Sequence, residues 1–194
     1  MIIGISGKAG SGKDTAASML EWIYGNPGKT WEDYEKHSSN NRYADVNISH
    51  FADILKEAVR HLLVVDEWAT NTQEGKKSYI EWLGMTVREF LQKFGTAMRN
   101  IDNDFWVKVL WAHIDNVWDN VIIADVRYPN EAKSIKDRDG ILVRIDRKGA
   151  GAGEHTSETA LDDYNDWDYH IKNDGSLEDL FKIMQIIAND NPLK

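Results

Sequence analysis

The feature that most limits how this chain can fold is a glycine-rich run at residues 7–15, with the sequence GKAGSGKDT. An apolar segment, residues 1–6, precedes it, and residues 15–21 follow it with the composition of a helix. Strand, loop and helix in this order direct loop N–H groups and the positive helix end at one anion, to which a lysine adds its charge. The run therefore predicts a loop that binds the phosphates of a nucleoside triphosphate. The predicted contacts are Gly10, Ser11, Gly12, Lys13, Asp14 and Thr15.

One position of this loop departs from the usual pattern. The residue directly after the lysine is normally a Ser or Thr that ligates magnesium, whereas here it is Asp14, and Thr15 comes next. A carboxylate beside a triphosphate repels it unless a metal ion intervenes. We therefore expect Asp14 and Thr15 to form the Mg²⁺ site, with Asp14 holding the hydrated ion. A hydroxyl one residue later resembles the loop of nucleoside monophosphate kinases rather than that of GTPase switches.

Apolar segments suited to buried strands alternate with helical patterns along the chain. The five segments are residues 2–6, 46–51, 121–126, 141–145 and 169–172. This alternation predicts a three-layer α/β fold of about five parallel strands with helices on both faces. Ligands of such sheets bind beyond the carboxyl ends of the strands, which is where the glycine-rich run falls.

The length of 194 residues favours a single domain, residues 1–194. We assign its core to residues 1–24, 46–51, 119–146 and 169–190. The largely helical stretch at about 52–118 lies where a monophosphate kinase carries its acceptor-binding insertion. Within it, Thr86 and Glu89 have the spacing of a capping box and predict the start of a helix. The stretch at about 147–165 contains KGAGAGEH and lies where such an enzyme carries a short lid.

Composition excludes several classes of function. The formal net charge of -9 argues against a nucleic-acid polymer as partner, because binders of nucleic acid usually present a basic face. The absence of cysteine excludes disulfides and cysteine-ligated zinc. No apolar run is long enough for a membrane span and no leader pattern precedes the first strand. We expect a soluble cytoplasmic protein whose partners are small nucleotides.

A second group of charged residues follows the third predicted strand. Asp125 ends this strand and Arg127 comes two residues later. Both would reach the carboxyl end of the strand, where an acid can orient magnesium, water or a sugar hydroxyl and an arginine can bridge two phosphates. A structural ion pair at a strand end is the alternative, but the nearby phosphate loop favours a catalytic pair.

Six segments together resemble the bacteriophage deoxynucleoside monophosphate kinases. They are SGKDT at 11–15, FADILKEA at 51–58, LQKFGTAMR at 91–99, DVRYPNE at 125–131, HTSE at 155–158 and IKNDGSLEDL at 171–180. The segments span nearly the whole chain in the same order and at the same spacing. The resemblance implies a P-loop kinase fold and transfer of the terminal phosphoryl group of ATP to a deoxynucleoside 5′-monophosphate, with Mg²⁺.

The resemblance also implies which residues bind the acceptor nucleotide. The LQKFGT segment lines the acceptor in this family, and an aromatic residue stacks beside the base. The implied acceptor contacts are Arg88, Gln92, Gly95, Thr96, Trp106, Asp125, Arg127 and Glu131. The last three would contact deoxyribose, phosphate and base respectively. Without the resemblance, Arg88 and Gln92 would be assigned to a solvated helix face and Trp106 to the core.

The remaining implied contacts lie on the ATP side. Arg147 takes the place of a lid arginine that folds over the phosphates, and Asn173 belongs to a loop under the adenine. His155 is assigned to loop positioning, because a phosphate monoester is already anionic and needs no general base. In the transfer itself, Lys13, Arg127 and Asp125 are the expected catalytic residues.

Two other functions remain open from the residues alone. The nearest is a P-loop kinase for another small phosphorylated acceptor, such as phosphomevalonate or dephospho-coenzyme A. The more distant one is a nucleotide-dependent switch protein, although the chain has no NKxD motif for base recognition. Related enzymes are often dimers, so the resemblance also allows a homodimer. If the chain is phage-encoded, it would act in the host cytoplasm.

Overall fold

The computed structural model describes residues 1–37, 45–115, 117–151 and 159–193. The chain divides into two compact units, one formed by residues 1–50 and 114–194 and the other by residues 51–113. We call them the sheet unit and the helical unit. The predicted insertion covered about 52–118, and its role in acceptor binding stays a prediction. Within the described residues, no helix has the length and apolar character needed to cross a membrane.

The two units are built from eight helices and seven strands within the described ranges. In chain order these are β1 (Ile2–Ser6), α1 (Lys13–Gly25), α2 (Trp31–His37), β2 (Asn47–Ser49), α3 (Phe51–Leu63), α4 (Glu67–Asn71), β3 (Tyr79–Ile80), β4 (Met85–Thr86), α5 (Val87–Ile101), α6 (Phe105–Ile114), β5 (Val121–Val126), α7 (Pro129–Lys136), β6 (Ile141–Asp146), β7 (Tyr169–Lys172) and α8 (Leu177–Asp190).

The sheet unit is organised around a parallel sheet with the strand order β2-β5-β1-β6-β7. All six residues of β5 are buried, as expected for a parallel strand that is covered on both faces. Each of the five predicted segments overlaps one of these strands, although the segment 46–51 extends beyond β2 and its last residue, Phe51, begins α3. The predicted fold class is confirmed. β1 is the central strand, so the loop that follows it begins in the middle of the row formed by the carboxyl ends of the strands.

Helices cover both faces of this sheet. Ile3 and Ile5 of β1 belong to a core cluster shared with α1 and α8. The residue between them, Gly4, lies against Ile135 of α7. Since neighbouring residues of a strand point to opposite faces, α7 covers the face away from α1 and α8. The sheet unit therefore has the three layers that the sequence predicts.

Residues 25–45 contain a helix that the sequence pattern did not predict. Helix α2 brings Trp31 and Tyr34 against Phe181 of α8, with ring centroids 5.6 and 5.2 Å apart. Trp22 of α1 completes this aromatic cluster. The stretch is mostly polar and rich in turn-forming residues, so its pattern indicates no helix. Trp31 and Tyr34 nevertheless pack α2 on the outside of α8.

The helical unit carries its own local signals. Thr86 and Glu89 cap α5 reciprocally, because the Thr86 hydroxyl accepts from the Glu89 N–H and the Glu89 carboxylate accepts from the Thr86 N–H at 2.7 Å. This capping box confirms the predicted start of the helix. The indole of Trp106 on α6 donates to the carbonyl of Gly95 on α5 at 3.0 Å, which ties the two helices together.

A buried arginine ties the ends of β1, β6 and β7 together in the sheet unit. Arg144 of β6 has only 8% of its surface exposed, and its Nε donates to Asp146 at 2.8 Å. Another guanidinium nitrogen donates to the Ser6 hydroxyl at 3.4 Å. The second carboxylate oxygen of Asp146 lies 2.7 Å from Nε2 of His170 on β7. A buried guanidinium is tolerated because these partners satisfy its charge and donors.

The same arginine connects the strands to the segment at 159–168. Asp162 in this segment lies 3.6 Å from an Arg144 nitrogen and 3.0 Å from the ammonium of Lys8 in the glycine-rich loop. The guanidinium also lies 5.8 Å from the ring centre of Trp167. Asp162 is therefore shared between a cation of β6 and a cation of the loop, and it fixes this segment beside the loop.

The network predicts an acid-dependent loss of stability at Asp146. Burial disfavours the charged carboxylate, but hydrogen bonds from His170 and Arg144 outweigh this effect and keep the pKa of Asp146 below its ordinary value. A depressed carboxylate pKa contributes stability above the ordinary pKa of about 4 and loses it as the pH falls through the folded-state value. We expect Asp146→Asn to lower the free energy of unfolding at pH 7, with a deficit that narrows below about pH 4.

Urea unfolding at pH 7, 5, 4 and 3 measures this deficit. Asp163→Asn changes an exposed carboxylate in the segment at 159–168. It is the control, and its stability should match that of the unsubstituted protein at each pH. A deficit for Asp146→Asn that stays constant down to pH 3 would show that the charge of Asp146 makes no contribution.

Candidate active site

The glycine-rich loop joins the carboxyl end of β1 to the first turn of α1. Its turn is closed by a hydrogen bond from the Ser11 N–H to the Lys8 carbonyl at 3.1 Å, and the Gly12 carbonyl accepts the Ala16 N–H at 2.9 Å. Gly12 has a φ of 96°, which is strained for any residue with a Cβ, and a Cβ there would also collide with the side-chain amide of Asn173. The backbone of the loop therefore has the form expected for an anion-binding nest at a helix N-terminus.

Asn173 supports the loop from below. Its side-chain amide donates to the carbonyl of Ser11 at 2.8 Å, and its backbone N–H donates to the carbonyl of Asp146 at 2.7 Å. Only 9% of Asn173 is exposed. In this structure the Asn173 side chain therefore holds the backbone of the loop, and its expected place under the adenine of ATP stays a prediction.

Ser11 carries a polar atom that the folded chain leaves unsatisfied. The residue is fully buried, and its hydroxyl is the one buried side-chain polar atom without a hydrogen-bond partner in the described ranges. A Cβ on Gly7 would collide with this hydroxyl, so the two residues lie in direct contact across the loop. An unsatisfied buried polar group costs about 1–3 kcal/mol, and bound water or ligand is the usual compensation.

Lys13, Asp14 and Thr15 begin helix α1. The Lys13 side chain is 9% exposed and its ammonium lies 3.8 Å from the Asp14 carboxylate, whose side chain is 75% exposed. Thr15 is half-buried on the same turn. Within the described residues, no cluster of three or more His, Asp or Glu side chains could hold a metal by protein ligands alone. The Mg²⁺ site expected at Asp14 and Thr15 stays a prediction.

The end of β5 lies beside the start of the loop. Ser6 pairs with Val126 of β5 on one side and with Arg144 of β6 on the other. The β1–β5 register shifts between Gly4 and Ser6, where Ala124 and Asp125 both stand opposite one residue of β1. Irregularities of this kind re-aim side chains, and they are frequent beside active sites.

Asp125 lies within this register shift, and Arg127 follows it two residues later. Asp125 is 5% exposed, while Arg127 is half-buried and lies one residue beyond the pair formed by Val126 and Ser6. The structure therefore brings both residues to the sheet edge at which the glycine-rich loop starts. Their predicted position at the carboxyl end of β5 is observed, whereas their contacts with a nucleotide and their chemical roles stay predictions.

Glu131 occupies a structural position. It is 2% exposed, and its Oε2 accepts the backbone N–H groups of Arg127 at 2.8 Å and Tyr128 at 3.2 Å. In this structure the carboxylate is almost fully covered, and one of its oxygens is shared by two backbone donors at the start of α7. The contact of Glu131 with the acceptor base, which the resemblance implies, stays a prediction.

Four of the predicted acceptor residues share α5 of the helical unit. Arg88, Gln92, Gly95 and Thr96 are spaced so that they fall on one side of the helix. Arg88 donates to the side chain of Gln73 at 2.7 Å, Gln92 is half-buried and Thr96 is exposed. Gly95 is buried, and a Cβ there would lie 3.3 Å from Leu55 of α3. The observed role of Gly95 is therefore close helix packing.

Trp106 belongs to the core. It is 4% exposed, its indole N–H is bonded to Gly95, and the rings of Phe94 and Phe105 lie against it at 6.3 and 4.9 Å between centroids. In this structure the ring is packed as a core tryptophan, which is the alternative that the sequence left open. Its stacking on the acceptor base stays a prediction.

The predicted lid falls partly outside the described residues, and so does His155. Arg147 is exposed at the start of a turn that its own carbonyl closes by accepting the Ala150 N–H at 3.0 Å. The N–H of Gly151 donates to the carbonyl of Ala9 in the glycine-rich loop at 2.9 Å. The described start of this region therefore contacts the loop, while the ATP contact of Arg147 stays a prediction.

Sequence interpretation missed three charged residues around the loop, namely Lys8, Arg144 and Asp162. Arg144 carried a signal, because a charged residue within the apolar run ILVRID must find buried partners. Lys8 and Asp162 carried none, since their ion pair joins residues 154 positions apart. The sheet unit brings together the loop, Asp125 and Arg127, and the helical unit holds the α5 residues.

Comparison with known proteins identifies relatives of this chain. The family model described as deoxynucleotide monophosphate kinase matches residues 38–184. A protein of Acanthamoeba polyphaga mimivirus, provisionally named a deoxynucleotide monophosphate kinase, is 33% identical over 205 aligned residues, covering 97% of this chain and 95% of that protein. The deoxynucleotide monophosphate kinase of Enterobacteria phage T4 is 31% identical over 103 residues, which cover 50% of this chain and 42% of that enzyme.

A solved structure has a similar fold. The crystal structure of TT1252 from Thermus thermophilus aligns over 99% of this chain and 98% of its own with a TM-score of 0.50 and 15% sequence identity. At that identity the likeness concerns the fold alone. The family match over more than half of the chain and the mimivirus relative over nearly all of it confirm the resemblance seen in the sequence: this chain belongs to the deoxynucleotide monophosphate kinase family and is a phosphotransferase that acts on nucleotides.

Proposed function

We propose that this enzyme transfers the γ-phosphoryl group of ATP to the 5′-phosphate of a deoxynucleoside monophosphate. An acceptor phosphate oxygen forms a bond to the γ-phosphorus, the bond to the bridging oxygen breaks, and ADP leaves with a deoxynucleoside diphosphate as second product. The observation that supports the proposal best is the pairing of Ser6 with Val126 on one side and with Arg144 on the other. Arg127 comes directly after Val126, and the nest-forming loop comes directly after Ser6.

The loop residues fit a bound triphosphate. The Ser11 hydroxyl is buried without a partner, the left-handed Gly12 opens the nest, and Lys13 begins α1 with its ammonium near the loop. Asp14 and Thr15 fit Mg²⁺, which usually keeps several waters and takes one or two protein ligands besides the phosphates. A bound Mg²⁺ would neutralise phosphate charge and orient the transferred group.

Catalysis by the chain rests on charge and alignment. The transition state of phosphoryl transfer is loose and highly anionic, so fixed cations stabilise it more effectively than a nucleophile would. Lys13 binds the triphosphate from the loop side, Arg127 binds the oxygens shared between donor and acceptor, and the buried Asp125 orients the acceptor sugar. No general base is required, because the acceptor phosphate is already anionic.

The acceptor side draws on α5 of the helical unit. Arg88 supplies phosphate charge, while Gln92 and the exposed Thr96 offer hydrogen-bonding groups on the same side of the helix. Arg147 belongs to the ATP side, where it contacts the phosphates from the start of the lid. The named relatives are viral, which supports action in the host cytoplasm. We also propose a homodimer, because enzymes that resemble this one are often dimers.

An acceptor panel tests the reaction itself. We expect coupled ADP release with Mg·ATP and deoxynucleoside monophosphates, and at least tenfold lower kcat/KM with phosphomevalonate or dephospho-coenzyme A, because a site that hydrogen-bonds its substrate discriminates by about that factor or more. Ribonucleoside monophosphates in the same panel measure sugar selectivity. ATP hydrolysis that does not depend on any acceptor would support a nucleotide-dependent switch instead.

Arg127→Ala should abolish most transfer and leave ATP binding intact. Loss of a transition-state arginine costs about 10³ to 10⁵ in turnover in related phosphoryl transfer. Single-turnover rates and calorimetric ATP titration separate the two effects. Arg138→Ala, at an exposed arginine paired with Asp115, is the matched control and should keep normal turnover. Unchanged turnover in Arg127→Ala would remove Arg127 from the mechanism.

Asp14→Asn should weaken the response to Mg²⁺. If the carboxylate holds the hydrated ion, its loss should raise the Mg²⁺ concentration for half-maximal binding of ATP by about tenfold or more, as for other groups that bind a metal through its waters. Calorimetric titration of ATP at several Mg²⁺ concentrations gives this value without a turnover assay. A variant that binds Mg·ATP and turns over normally would show that Asp14 serves only Lys13, 3.8 Å away.

A further inference from the structure

The motif DVRYPNE at the end of β5 contains a buried carboxylate that the proposed mechanism does not use. Glu131 lies four residues after Arg127, on the first turn of α7, and only 2% of it is exposed. One of its carboxylate oxygens accepts the N–H of Arg127 at 2.8 Å and the N–H of Tyr128 at 3.2 Å. Both donors belong to the connection between β5 and α7.

This arrangement solves a local problem of the backbone. The N–H groups at the start of a helix have no partner within the helix, and Pro129 at its first position has no N–H at all. A carboxylate near a helix N-terminus also interacts favourably with the helix dipole. Since Glu131 is buried and charge-assisted hydrogen bonds are the stronger ones, the backbone at Arg127 is held in one position.

We propose that Glu131 is a positioning residue for phosphoryl transfer, which fixes the backbone of Arg127 so that its guanidinium is aligned with the reacting phosphates. The inference rests on the proposed role of Arg127 and deepens it. The backbone here is held at two adjacent residues. Val126 pairs with Ser6 at the start of the loop, and the N–H of Arg127 is bonded to Glu131. Without the bond to Glu131, Arg127 can rotate relative to Val126.

The geometry separates this role from a simple helix cap. Asp179 caps α8 with the same chemistry, because its carboxylate accepts the Ser176 N–H at 2.9 Å and the Ser176 hydroxyl at 2.7 Å. That cap serves residues with no place in the proposed mechanism. Asp179→Ala is therefore a matched control, expected to lower stability without changing kcat.

The first test compares Glu131→Ala with Glu131→Gln. The alanine variant should lower kcat by about 10- to 100-fold, the range expected when a catalytic group is misplaced by about an ångström, with the KM for ATP within about threefold. The glutamine variant keeps an amide oxygen that can accept both N–H groups, so it should retain most of kcat. Equal losses in the two variants would overturn the proposal, since a positioned oxygen would then not matter.

A double variant separates positioning from stability. If Glu131 acts through Arg127, adding Glu131→Ala to Arg127→Ala should change kcat by less than about threefold, although urea unfolding shows the same loss of stability in both backgrounds. The proposal would be overturned if adding Glu131→Ala to Arg127→Ala lowered kcat by the same factor as Glu131→Ala does alone. Calorimetric binding of ATP to the phosphate loop verifies that each variant is folded.

These outcomes are distinguishable from failure of the proposed function. If Arg127→Ala alone keeps its turnover, the role of Arg127 is wrong and the inference falls with it. If Arg127→Ala loses turnover while Glu131→Ala does not, only the positioning role of Glu131 is wrong. If the alanine variant unfolds, Glu131→Asp takes its place in both comparisons, because the shorter side chain withdraws the accepting oxygen from the N–H of Arg127.

Discussion

The parallel pairing of β1 with β5 on one side and β6 on the other is the constraint on which the rest of the site depends. Because Ser6 lies between Val126 and Arg144, the loop after β1, the connection after β5 and the ionic network of β6 all begin at one level of the sheet. Parallel strands place their carboxyl ends together, so residues far apart in the chain converge there without a long loop to guide them. The buried strands hold this edge rigid, and the functional groups extend from it.

The groups at this edge are held by side chains that bind backbone. The Asn173 amide donates to the carbonyl of Ser11, and the Glu131 carboxylate accepts the N–H of Arg127. Each of these side chains is wholly or partly buried, where an unsatisfied polar group would be costly. Pre-organised loops of this kind suit a reaction whose transition state is stabilised by fixed charges and dipoles.

The sequence interpretation and the structure agree for the parts of the chain with strong local patterns. The strands, the phosphate loop and the cap of α5 follow from apolar runs, glycine spacing and the Thr86–Glu89 pair, and the family and activity are confirmed by the relatives. The structure adds most for polar or aromatic residues that have two possible roles. Trp106 packs in the core, and Glu131 and Asn173 bind backbone, while the ligand contacts expected of these three residues stay predictions.

The sequence by itself determined the class of fold and the chemistry of the loop, because hydrophobic periodicity and glycine spacing act over a few residues and leave a visible pattern. Only the tertiary structure decided which polar side chains are free for ligands and which are occupied by the chain. The Lys8–Asp162 pair joins residues 154 positions apart, and the Asn173–Ser11 bond joins residues 162 positions apart. Such contacts depend on strand order and register, which no local pattern encodes.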